Sequence, residues 1–391
     1  MIRKLLGLAV ILLFFSCHSK DSTLKEAEKI STSVAGKFAP DGREELYKIH
    51  FIANGSSMTI AGETTSSDGK QSLLTALKSL PVTAIDSIRV LPDPSLGGKN
   101  WALVTISVCN IRNGAGHDTE MISQAILGTP VSLLKKSGHW SYIQTPDHYL
   151  GWVDDDALLQ TDLAGLTAWK NSKRTIYLPN LGSAFNPDTK EPVTDLVAGS
   201  ILKTVEITKT DIILEMPDGR RLAIPVKDGM DFDQWKNRPE YSSETIISTA
   251  KGLLGRPYLW GGTSTKGVDC SGFVKTVYFL NGIILARDAS LQFRHGKFID
   301  PQEGYNKLNS CDIIFFGRKA EGDRPAKATH VGLYLGDGAY INSSGYVRIN
   351  SFDPTQKDYS KARADNWLGG RTILGSEGVR GIVRVKDHPW Y

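Results

Sequence analysis

The hydrophobic period of this chain changes at Ser242, and that change limits what it can fold into. Upstream, from residue 96 to about 235, apolar residues come in short runs: Leu103–Cys109, Val131–Leu134, Trp140–Gln144 and Leu150–Val153. Gly128-Thr129-Pro130 and Pro146-Asp147 punctuate them. Several short strands within about sixty residues predict a small barrel. Residues 161–235 repeat the theme. Ile201–Glu206 echoes Val131–Lys136, and Ile212–Gly219 echoes Tyr142–Asp147, with Asp218-Gly219 as a hairpin turn. Downstream of Ser242 the spacing becomes helical. Ile246, Ile247, Ala250, Leu253 and Leu254 share one face, Ser243 is the candidate N-cap, and Gly255-Arg256-Pro257 stops the helix. Phe273, Val274, Val277 and Tyr278 mark a second helix. Strands are expected at Ile313–Phe316, His330–Leu335 and Ala339–Ser343. Helices followed by antiparallel strands give an α+β domain behind two barrels.

The chain has 391 residues, enough for several domains. The boundaries read as 1–17, 18–95, 96–160, 161–238 and 239–391. Arg3 and Lys4 precede the apolar run Leu5–Phe15, which ends in Ser16-Cys17. This reads as a lipoprotein signal with Cys17 lipidated and serving as a membrane anchor. The other reading is a cleaved secretory peptide with an incidental cysteine. Both expect an exported protein. Residues 18–40 read as a polar tether. Residues 41–95 carry two short helical patterns, Glu44–Ile52 and Ser72–Leu80, and suggest no function. Forty-six basic residues against 42 acidic ones leave a net charge of +4 without a basic block, which excludes a nucleic-acid binder. After Cys17 only Cys109, Cys270 and Cys311 remain. Three cysteines make no disulfide framework, and no Cys/His spacing suggests zinc. No metal or cofactor is expected, and a monomer is.

Cys109 and Cys311 lie in apolar surroundings and read as small buried side chains. Cys270 differs: it follows Asp269, a candidate N-cap, and precedes Ser271-Gly272. A helix N-terminus favours a thiolate through its free N–H groups and dipole. The base would be His330, in Thr329-His330-Val331-Gly332. A catalytic histidine needs an acceptor to fix its tautomer. If Gly336-Asp337-Gly338 closes a three-residue hairpin loop, Leu335 faces Ala339, and Asn342 falls on the same face as His330, diagonally adjacent. Cys-His-Asn is one form of the nucleophilic triad.

Tyr258-Leu259-Trp260-Gly261-Gly262, Asp269-Cys270-Ser271-Gly272-Phe273, Arg287-Asp288-Ala289, Asp312–Phe316 and Thr329–Tyr334 occur in that order. Together they resemble the NlpC family of papain-like cysteine peptidases, over residues 240–391. Asn110-Ile111-Arg112, Gly128–Val131, Trp140–Ile143 and Tyr149–Val153 resemble a bacterial SH3-like domain. The pairing resembles exported cell-wall γ-D-glutamyl-diamino-acid endopeptidases. The resemblance implies Cys270 as nucleophile, His330 as proton relay and Asn342 as orienting group, where many relatives carry histidine. It implies an oxyanion site at the Cys270 N–H and the Tyr258 hydroxyl. Trp260, Asp269, Ser271 and Asp288 would line the groove. Where the family usually has serine after Asp288, this chain has Ala289, with Ser290 next. Glu120 and Tyr149 of the first barrel would receive the free amine of an N-terminal L-Ala in peptidoglycan stem peptides. An amidase or acyl-transfer reaction of the same core, or an inactive wall-binding protein, are the alternatives.

Overall fold

A computed structural model describes residues 22–238 and 242–391; the Cys17 signal lies outside them. The chain divides at Gly97/Gly98 into two compact units.

The first unit corrects the expected tether. Residues 22–38 are helical. Leu24, Ala27, Ile30 and Val34 recur at helical spacing and join a core with Met58, Ile60, Leu73, Leu77 and Ile88. The expected helix over Glu44–Ile52 is instead the strand Tyr47–Asn54, whose burial alternates residue by residue. Tyr47, Ile49 and Phe51 alternate onto the core face, a period of two that helical spacing does not describe. This strand pairs antiparallel with Ser57–Thr64, which pairs parallel with Thr83–Val90. The helix Ser67–Leu77 makes that crossover, and Ser66 caps it by accepting from the Gly69 N–H.

Within the second unit, Gly98–Tyr391, two barrels precede an α+β domain. The expected strand Leu103–Cys109 is two strands, Trp101–Val104 and Val108–Arg112. The chain breaks there because it changes partners: Trp101–Val104 pairs with Pro130–Ser137, and Val108–Arg112 with Met121–Ile126. The second barrel repeats the scheme. Its hairpin Ile201–Ile207/Asp211–Glu215 carries a bulge at Val205, as Pro130–Ser137/Trp140–Gln144 does at Leu134. The barrels meet backbone to backbone. Ile201 N–H donates to the Leu127 carbonyl at 3.0 Å, and a Cβ on Gly128 (φ +81°) would collide with the Ile201 carbonyl.

Ser242, not Ser243, caps the helix Ser243–Lys251. The helix Cys270–Leu280 lays Phe273, Val274 and Val277 on Phe315, Val331, Leu333 and Ile341 of a six-stranded antiparallel sheet. Each such burial contributes about 1.5–3 kcal/mol. The sheet runs Lys297–Ile299, Trp367–Thr372, Ile313–Arg318, Lys327–Gly336, Ala339–Ser344, Tyr346–Ser351. Phe232, Trp235, Ile284, Leu103 and Tyr391 form an apolar cluster where the three bodies meet. Among the described residues, no helix is long and apolar enough to cross a membrane.

Candidate active site

The hairpin that carries the histidine closes differently from the expectation. Gly336, not Leu335, pairs with Ala339 across a two-residue Asp337-Gly338 loop. Continued without interruption, that register would send His330 and Asn342 to opposite faces. Leu335 is an extra residue, a bulge, and beyond it Leu333 pairs with Ile341. The bulge restores the shared face. His330 Nε2 and Asn342 Oδ1 are 2.8 Å apart. Asn342 Nδ2 donates to Asn350 Oδ1 at 3.0 Å and to the Arg348 carbonyl at 3.4 Å, which aims the amide oxygen at the imidazole. The accepting oxygen selects the Nε2–H tautomer and leaves Nδ1 able to take a proton.

Cys270 opens its helix, and Asp269 is the N-cap. Asp269 Oδ1 accepts from the Gly272 N–H at 2.7 Å, and its Oδ2 accepts from the Gly261 N–H at 3.0 Å. One carboxylate therefore caps the nucleophile helix and anchors the Tyr258–Gly262 loop. The Ser271 and Val331 N–H groups point at the Cys270 sulfur, so the thiol lies against the strand residue next to His330. The Cys270 N–H has no acceptor among the described residues and remains available to an oxyanion.

Asp269 and Ser271 flank the nucleophile. Both are buried and bound to Arg287, itself 1% exposed. Arg287 Nη2 reaches Asp269 Oδ2 at 2.5 Å, its Nη1 reaches Ser271 Oγ at 3.0 Å, and its Nε reaches Ser123 Oγ of the first barrel at 3.1 Å. These bonds hold the nucleophile's helix. Arg287 is the residue that the sequence reading missed as a site residue. It stood in the Arg287-Asp288-Ala289 motif without a partner that spacing could supply.

The first barrel packs on the rim of the site. Trp260 Nε1 donates to Glu120 Oε1 at 2.8 Å, and Asn113 Nδ2 donates to Glu120 Oε2 at 3.1 Å. The Tyr149 hydroxyl donates to Asp288 Oδ2 at 3.0 Å. Gln124 receives the Thr263 N–H and hydroxyl on its side chain and carbonyl, respectively. Gly261 (φ +78°) approaches the Met121 carbonyl so closely that a Cβ would collide with it. The expected residues thus gather in two groups around Cys270: His330 with Asn342, and Glu120 and Tyr149 with Trp260 and Asp288.

Burial sets the charges. It pushes the Cys270 thiol up to about 11, with Asp269 adding to the shift and the two N–H groups opposing it. The helix-start expectation of a lowered thiol is therefore overturned by desolvation. Burial also pulls His330 down to about 4, with Arg363 adding to the shift. The resting pair is a neutral thiol and a neutral imidazole. Burial, then the charges of Cys270 and Asp269, raise Tyr258 to about 12, so its hydroxyl stays a donor. Among the described residues, no group of three or more His, Cys, Asp or Glu could hold a metal ion.

A helix-start thiol beside an amide-oriented imidazole defines a cysteine hydrolase of papain-like architecture. Residues 255–367 match the NlpC/P60 family, and residues 111–158 match the bacterial dipeptidyl-peptidase Sh3 domain. The chain carries an NlpC/P60 domain behind a bacterial SH3 domain and is a cysteine peptidase. It is 28% identical over 273 residues to a gamma-D-glutamyl-L-lysine dipeptidyl-peptidase of Bacillus cereus, covering 67% of this chain and 79% of that one. It is 26% identical to dipeptidyl-peptidase 6 of Lysinibacillus sphaericus, over 64% of this chain and 92% of that one. A crystal structure of an NlpC/P60 family protein from Bacillus cereus shares the fold, with a TM-score of 0.59, 22% identity, and coverage of 70% of this chain and 99% of that one.

Proposed function

We propose that the protein hydrolyses the bond between the γ-carboxyl of D-glutamate and the L-diamino acid in peptidoglycan stem peptides that begin with a free L-Ala. One observation carries the reading: Glu120 and Tyr149, from the barrel, are bonded to Trp260 and Asp288 at the edge of the Cys270 groove. A carboxylate there suits a substrate ammonium. The relatives named for γ-D-glutamyl-L-lysine dipeptidyl-peptidase activity support the same substrate class.

In this reading the Cys270 thiol passes its proton to His330 Nδ1, and the sulfur attacks the γ-carbonyl carbon. The Cys270 N–H and the Tyr258 hydroxyl hold the oxyanion. His330 gives the proton to the leaving amine, and the C–N bond breaks. A water, deprotonated by His330, then cleaves the thioester and restores the thiol. Asn342 keeps the imidazole oriented throughout.

The test is incubation with L-Ala-γ-D-Glu-diaminopimelate and with its N-acetylated form. Release of L-Ala-D-Glu from the free-amine peptide alone is expected. Cleavage of intact sacculi but not free peptides would favour the amidase reaction. No turnover, with retention on peptidoglycan, would favour a wall-binding role. We also propose export and lipid anchoring through Cys17. Labelling by a fatty-acid analogue in cells, lost in Cys17→Ala, is expected; label retained in the variant would refute it.

A further inference from the structure

Two arginines stand on the histidine side of the site. Arg348 lies directly across the sheet from Asn342 in register, and its carbonyl receives the Asn342 amide. Arg363 lies 5.5 Å from the Phe316 ring centroid, and Phe316 packs 5.8 Å from His330. Neither guanidinium makes an ion pair or side-chain hydrogen bond among the described residues. The groups whose charges reach Arg363 are Tyr340, Cys270 and Arg348; no carboxylate is among them. Arg363 is half-buried. Aromatic faces carry both cations, Phe316 under Arg363 and Tyr346 under Arg348, and no carboxylate neutralises either.

Beside them lies a groove of about 390 Å³, lined by Tyr346, Arg348, Asn350, Lys357, Tyr359 and Ser360. Arg363 N–H donates to the Ser360 carbonyl, so the groove ends at that arginine's turn. Asp358 also lines it, but its carboxylate makes no ion pair with Arg348, Lys357 or Arg363. Direction follows from the chemistry. The imidazole that accepts the thiol proton later protonates the leaving amine, so the leaving residue lies on the His330 side. Glu120, Tyr149 and Asp288 lie instead with the barrel, on the acyl side.

We propose that Arg348 and Arg363 form a leaving-side subsite for a carboxylate of the diamino acid. This rests on the γ-glutamyl reading above and deepens it. Planar guanidinium groups pair with carboxylates in bidentate fashion. A lysine side chain ending in an ammonium meets three like charges there. Diaminopimelate brings a carboxylate beside its distal ammonium. The main-chain carboxylate of a terminal diamino acid offers the same chemistry.

Three peptides distinguish the sources: L-Ala-γ-D-Glu followed by diaminopimelate with its main-chain carboxyl amidated, by lysine with a free carboxyl, and by lysine amide. The first or the second is expected to exceed lysine amide in kcat/KM by at least about tenfold. The better of the two identifies the carboxylate. Arg348→Gln, at an exposed position, should erase that ratio. Arg363→Gln should erase it as well. Binding of the diaminopimelate peptide to Cys270→Ala, weakened by adding Arg348→Gln, is the readout free of catalysis. Equal rates on all three peptides, or equal losses on all three in the variants, would overturn the subsite and leave the γ-glutamyl reading standing. Cleavage of none by the wild type would overturn both.

Discussion

Cys270 lies between opposing influences. Two amide N–H groups and a helix start favour its anion; burial and Asp269 oppose it, and burial prevails. The thiolate fraction should then rise with pH toward about 11. Iodoacetamide alkylation of Cys270 should accelerate about tenfold per pH unit between pH 7 and 9. A plateau from pH 5 to 8 would instead reveal a preformed thiolate–imidazolium pair. His330, pulled to about 4, stays a neutral base well below pH 6. The acidic limb of kcat/KM should therefore fall near pH 4 rather than 6.5. Cys270→Ala should abolish turnover with an unchanged melting temperature. Asn342→Ala should lower kcat by about 10²-fold with little change in KM, because it frees the imidazole without removing it.

At the level of elements, Asp269 joins the helix start to the Tyr258–Gly262 loop, and Arg287 pairs with its carboxylate. Arg287→Met leaves the Asp269 carboxylate buried without its cation, which costs about 3–5 kcal/mol. A denaturant melt should show that loss, together with lost activity, since the loop and the helix cap move as one; an unchanged midpoint would free Arg287 of this role. Much of this site was legible in the chain. Asp269 as cap, Cys270 as helix start, and Asn342 beside His330 all follow from local spacing. The hairpin reading reached the right face through the wrong loop, because the bulge at Leu335 compensates for the shorter turn. Glu44–Ile52 misled because its apolar residues fit both periods over so short a stretch, and only packing against the helix of residues 22–38 decides. Arg287 stayed hidden because its partners Ser123, Asp269 and Ser271 converge only in three dimensions.

Over the whole molecule, two buried histidines couple stability to acidity. Burial lowers His330 and His388 to about 4, the latter bonded to the Pro146 carbonyl. Below pH 6.5 the unfolded chain takes up protons that the folded one refuses. Stability should fall as pH drops from 6.5 through 4, by on the order of 3 kcal/mol per histidine. Melting curves at pH 7 and 5 check the sign; a higher melting temperature at pH 5 would contradict it. Glu120→Gln should raise KM for free-amine peptides several-fold at unchanged kcat, and an unaltered KM would clear Glu120 of that contact. The Arg287–Ser123 bond has a consequence for safety. The guanidinium that steadies the nucleophile's helix also grips the first barrel, which carries Glu120 and Tyr149. A molecule whose barrel works loose also loses a brace on Asp269, so the ruler and the blade are disarmed together. In the proposed reading, activity is thereby lost together with the contacts that select a free amine.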